Sequence, residues 1–117
     1  MNEIGGTLCV NSKGEILLLR GFNGLWDFPH GLIGSDESIR QGAVRETLEK
    51  TGLVPRLSGE VVSGRLGLAT IWLFTASLPN EKIELSSEHC FHVWVSPTKA
   101  QSLLSPSLAR IVGDHGT

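Results

Sequence analysis

One stretch limits what this chain can fold into more than any other. It runs from Gly31 to Leu53: Gly-Leu-Ile-Gly-Ser-Asp-Glu-Ser-Ile-Arg-Gln-Gly-Ala-Val-Arg-Glu-Thr-Leu-Glu-Lys-Thr-Gly-Leu. It reads as a loop, a helix and a helix stop. Gly31 and Gly34 loosen the backbone ahead of the helix. Ser35 or Asp36 is placed to cap it, with Glu37 then in the first turn, where negative charge is favoured. Ile39, Ala43 and Val44 recur at helical spacing and can face a core. Gly52 stands where a left-handed residue ends a helix.

The polar side of that helix carries the chemistry. Arg45 and Glu49 are four residues apart and Glu46 and Glu49 three, spacings that set side chains beside one another. Two neighbouring carboxylates repel unless a cation lies between them. Such an oxygen-rich pair suits a hard divalent ion such as Mg²⁺, which keeps several waters and bridges to substrate phosphates. The plain alternative is a solvated helix face with an Arg45–Glu49 pair.

The rest of the chain supplies strands around this helix. Ile4–Val10 and Glu15–Leu19 read as two strands of a hairpin turned by Asn11-Ser12-Lys13-Gly14. Arg20 to Asn23 begins an irregular segment, and Leu25 to His30 alternates apolar and polar and reads as a short strand leading into the glycine loop. Leu57–Val62 and Leu66–Leu78 read as strands, the second a central one, flanked by glycine and proline that argue against a helix. Glu81 to Glu88 is a polar loop and Phe91–Val95 a last strand. A helix from Pro97 to Leu104 is capped by Ser96, and another runs from Ser105-Pro106 to about Val112. Gly113 to Thr117 reads as a loose tail. This order predicts an α/β fold, a mixed sheet with helices on both faces, in one domain over residues 1–117.

Composition narrows the setting. Hydrophobic residues make up 40% of the chain, enough to fill a core. A net charge of −2 argues against a large electrostatic grip on a nucleic-acid polymer. Cys9 and Cys90 sit in apolar runs and read as buried free thiols. No apolar run approaches a membrane span, and no basic-then-apolar leader is apparent, so a cytoplasmic protein without a membrane partner is expected.

The whole stretch resembles the Nudix box. That pattern is Gly, five residues, Glu, seven residues, Arg-Glu, an apolar residue, any residue, Glu-Glu, any residue, Gly and an apolar residue. Gly31, Glu37, Arg45, Glu46, Glu49, Gly52 and Leu53 match in register. Thr47 stands where an aliphatic residue is usual, and Lys50 stands in place of the second Glu of the pair. The resemblance covers most of the chain, since Trp26-x-Phe28-Pro29-x-Gly31 and the segment Glu88 to Ala100 also look like the family.

The resemblance implies an α/β/α sandwich and a metal-dependent pyrophosphohydrolase that cleaves a nucleoside diphosphate linked to another moiety. It implies Mg²⁺ or Mn²⁺ on Glu46 and Glu49, with the Gly31 carbonyl as a further ligand. Arg45 would orient the carboxylates and Glu37 would support loop and helix. Glu88, ahead of Glu84, would join from the loop before the last strand, as ligand or base or as a plain solvated carboxylate. The run Trp26 to Gly31 looks most like the dinucleoside tetraphosphate hydrolase branch, with His30 where that branch usually has Lys. His30 then contacts phosphate, or is a turn residue. Hydrolysis of modified nucleoside triphosphates is the alternative. Trp72, Phe74 and Trp94 read as core residues, with base stacking as the other reading.

Lys50 leaves three outcomes open. It points away and weakens the site, it stands in for a cation at the phosphate, or the chain is a nucleotide-binding or regulatory module with weakened catalysis. A small-molecule nucleotide is the expected partner, and a monomer or homodimer the expected assembly.

Overall fold

The computed structural model describes residues 2–115, without the side chains of residues 114 and 115. Strand β1 (Glu3–Cys9) is the axis of the molecule. Its alternating side chains face two different helical layers, as the two-residue period of a strand dictates. β1 pairs antiparallel with β4 (His30–Leu32) and parallel with β6 (Ala69–Ser77). β6 in turn pairs antiparallel with β5 (Arg56–Leu66), giving a four-stranded mixed sheet in the order β4-β1-β6-β5. A second, antiparallel sheet has the order β3-β2-β7, formed by Trp26–Asp27, Ile16–Gly21 and His89–Val95.

One face of β1 packs on helix α1 (Ile39–Thr51), which also touches β4 and β6. On the other face Leu8 joins Ile71 and Leu73 of β6 against Leu104 of the segment after helix α2 (Pro97–Leu103) and Leu108, Ile111 and Val112 of helix α3 (Pro106–His115). A smaller cluster of Cys9, Leu17, Leu19 and Ala76, with Trp94 against it, ties the two sheets together. The result is the α/β/α sandwich with a mixed sheet that the sequence implied, its sheet divided in two.

Several boundaries differ from the sequence reading. The turn after β1 forms, closed by Gly14 N–H to Asn11 C=O and by Asn11 N–H to Glu15 C=O. The hairpin does not, because past a single Val10–Ile16 bridge the strands diverge into different sheets. The strand expected to end at Val62 continues to Leu66, and Gly67 turns the chain into β6. Helix α3 passes Gly113 and reaches His115, while residues 116 and 117 of the expected tail lie outside the described residues. Cys9 is buried, Cys90 is half-buried, and both are free. Among the described residues no helix is long and apolar enough to cross a membrane.

Candidate active site

Helix α1 begins after Ser38, not after the Ser35 or Asp36 cap expected from sequence. Ser38 is its N-cap, accepting from Gln41 N–H while the Gln41 side chain accepts from Ser38 N–H, a reciprocal capping box. Glu37 therefore lies outside the helix, not in its first turn. Its carboxylate accepts the Gly34 N–H at 2.8 Å, which folds the loop. At the far end Gly52 adopts φ 76° and its N–H closes on Leu48 C=O at 2.8 Å, the left-handed stop a side chain would resist.

Arg45 is the hub of this stretch. Its Nε and Nη2 donate to the two oxygens of Glu37, at 3.1 and 2.7 Å, and Nη2 also reaches the Leu32 carbonyl at 3.0 Å. Its Nη1 donates to Glu46 Oε2 and Glu49 Oε1, each at 3.1 Å. One guanidinium thus holds three carboxylates and a backbone oxygen in its planar fork. Arg45 holds the Glu37 carboxyl down at about 2, with help from the Gly34 N–H. Hydrogen bonding to Glu37 and Glu49 in turn raises the guanidinium's own value.

Glu46 is the buried member of the set, 7% exposed, and its carboxyl group rests against the backbone of Gly31. Any side chain at position 31 would overlap that carboxyl group. Glu46 and Gly31 form part of the wall of a cleft of about 650 Å³, together with Lys50, Glu88 and His30. Lys50 donates to Glu88 Oε1 and lies 3.9 Å from Glu46 Oε1. The hydrogen bond from Lys50 holds Glu88 below the usual carboxylate range.

The opposite wall comes from the second sheet and its loops. Phe22, Asn23 and Leu25 form the rim after β2, and Asp27 and His89 lie further in. Burial pushes the Asp27 carboxyl up and the His89 imidazole down. His30 Nδ1 lies 2.8 Å from the Phe28 carbonyl and 3.3 Å from Asp27 Oδ1. A carbonyl only accepts, so Nδ1 carries the hydrogen and Nε2 is the nitrogen left for other partners.

The structure brings Gly31, Glu46, Lys50, Glu88 and His30 to one cleft. It sets Glu37, Arg45 and Glu49 on the adjoining face of α1 and its loop, linked to the cleft through the shared guanidinium. Trp72, Phe74 and Trp94 do not line the cleft. Trp72 donates to Glu3, Phe74 lies beneath Arg40 at 5.6 Å, and Trp94 packs between the sheets. Asp27, His89, Phe22 and Leu25 were not singled out from sequence as site residues. The Trp-x-Phe-Pro run could have flagged Asp27, but nothing local marks the others.

A divalent ion suits the carboxylates that remain. Arg45 engages one oxygen each of Glu46 and Glu49, so the second oxygen of each has no hydrogen-bond donor among the described residues. The Gly31 backbone borders the same spot. Among the described residues no group of three or more His, Cys, Asp or Glu is placed to hold a metal. Lys50 lies beside Glu46 and Glu88 in the cleft.

Known proteins share this architecture. The family model described as NUDIX domain matches residues 4–113. A Bacillus subtilis (strain 168) protein provisionally named an 8-oxo-dGTP diphosphatase is 31% identical over 111 residues, 92% of this chain and 74% of that protein. An RNA pyrophosphohydrolase of Pasteurella multocida (strain Pm70) is 39% identical over 55 residues, 46% of this chain but only 27% of that protein's length. The crystal structure of a C. elegans Ap4A hydrolase binary complex superposes with a TM-score of 0.84 at 20% identity, covering 99% of this chain and 96% of the other, which shows the fold. The class is that of hydrolases acting on phosphoanhydride bonds. Within it, the chain belongs to the NUDIX domain family, whose hydrolases generally use divalent metal ions.

Proposed function

We propose that this protein is a metal-dependent pyrophosphohydrolase that cleaves a nucleoside diphosphate linked to another moiety, with dinucleoside polyphosphates as the substrate class. One observation carries the reading: the Glu46 carboxylate sits in the wall of a nucleotide-sized cleft that also presents Lys50 and His30. Glu46 and Glu49 would hold Mg²⁺ or Mn²⁺, with the Gly31 carbonyl as a further oxygen donor. When bound, such an ion neutralises phosphate oxygens and lowers the pKa of attacking water. Arg45 orients both carboxylates. His30, held through Nδ1 by Phe28 C=O and Asp27, presents Nε2 to phosphate or to a proton. A small nucleotide as partner, a cytoplasmic setting and a monomer or homodimer belong to the same reading.

The likeness to the Bacillus subtilis protein favours a second reading, hydrolysis of a modified nucleoside triphosphate. The test is product release from dinucleoside tetraphosphates, modified triphosphates and sugar nucleotides, each with Mg²⁺ and Mn²⁺, beside Glu46→Gln. Metal-dependent turnover that the variant loses supports the hydrolase reading, and the preferred substrate decides between the two classes. Nucleotide binding without turnover on any substrate favours a binding module instead.

A further inference from the structure

We propose that Lys50 is a built-in cation of this site. Its ammonium fills the place between Glu46 and Glu88 that a divalent ion would otherwise take, so the chain holds one ion fewer than it would with a carboxylate at position 50. The inference rests on the metal-dependent reading above and deepens it.

Position 50 lies in the last turn of α1, and its side chain lines the cleft at only 12% exposure. Glu46 reaches Lys50 from one turn earlier on the same helix, and Glu88 from the loop ahead of β7, 38 residues further along the chain. Two carboxylates from separate elements therefore face one positive charge. A divalent ion bridging the same two oxygens would have to displace it. An ammonium has three donors, and among the described residues only the one to Glu88 is spent in a hydrogen bond. The others remain for a phosphate oxygen entering the cleft, where a compact point charge binds well. Lys50 thereby joins the substrate's phosphate to the loop that carries Glu88.

Mn²⁺ binding without substrate, followed by the resonance of free Mn²⁺, tests this on the unaltered chain, Lys50→Glu and Lys50→Gln. Lys50→Glu is expected to bind one more ion per chain. Lys50→Gln removes the charge without adding a ligand, and is expected to tighten Mn²⁺ binding about tenfold, as loss of a close like charge predicts. Equal number and affinity in all three chains would overturn the proposal. Loss of turnover in Glu46→Gln would then leave the metal-dependent reading standing alone. Absence of Mn²⁺ binding in every chain would overturn both.

Discussion

The carboxyl group of Glu46 occupies the space where the side chain of residue 31 would be, so Gly31 and Glu46 share one volume. The obstacle is the far end of a flexible side chain, not backbone. Gly31→Ala should therefore fold with a loss of at most about 1 kcal/mol, at the mild end of overpacking. It should push the Glu46 carboxylate out of the cleft wall and lower turnover and metal affinity about 10- to 100-fold. Thermal melts beside a turnover assay check this. A stability collapse with normal turnover per folded molecule would contradict it.

Arg45→Lys keeps the charge but loses the fork. A single ammonium cannot serve Glu37, Glu46, Glu49 and the Leu32 carbonyl together. Turnover should fall about 10- to 100-fold, as for other residues that orient metal ligands. Because Arg45 is more than a third exposed, the melting temperature should fall only slightly. Paired kinetic and melting measurements separate the two effects.

Acid should undo the Glu37 anchor within a defined window. Its carboxyl is held at about 2 against an ordinary 4.5, so the folded state binds its proton later than the unfolded state does. The anchor's contribution is then complete above 4.5 and lost as pH falls from there towards about 2. Urea unfolding of the native chain and Glu37→Gln at a series of pH values should show a gap at neutral pH that closes across this range. A gap independent of pH would rule the anchor out.

A chain of hydrogen bonds explains why threonine is accepted at position 47. Thr47 is fully buried and donates to Ala43 C=O at 2.8 Å, so its oxygen accepts from Thr7 at 2.7 Å. Thr7 has then spent its hydrogen, and the Cys9 thiol donates to it at 3.2 Å. Thr47→Val alone should cost about 1 kcal/mol by removing the acceptor of the Thr7 hydroxyl, which keeps only the weak Cys9 sulfur as partner, and adding Thr7→Val should recover part of that loss. Denaturant melts of the double-mutant cycle give the coupling directly.

What the sequence made legible was local or periodic. The stop at Gly52, the cap at Ser96 and the strand character of β6 follow from residue type and spacing. The start of α1 was misread because Ser35 and Asp36 offered competing caps to the Ser38–Gln41 capping box, and Glu37 answers not to the first turn but to Arg45, eight residues on. The hairpin was misread because β1 finds its partners in β4 and β6, and no turn signal reports a strand's distant neighbours. Lys50 and Glu88 meet across 38 residues, a contact that spacing on a helix does not encode. Phe22 read as part of an irregular segment and Leu25 as the start of a short strand, and neither reading reports that the fold brings both to the cleft.

The division of the sheet has one more consequence. The wall bearing Glu46 and Lys50 is anchored to the mixed sheet, whereas Phe22, Asn23 and Leu25 hang from the other. Under the proposed function, exchange of the exposed rim residues would alter which nucleotide is admitted without moving Glu46, while the Lys50–Glu88 pair couples the two pieces of framework.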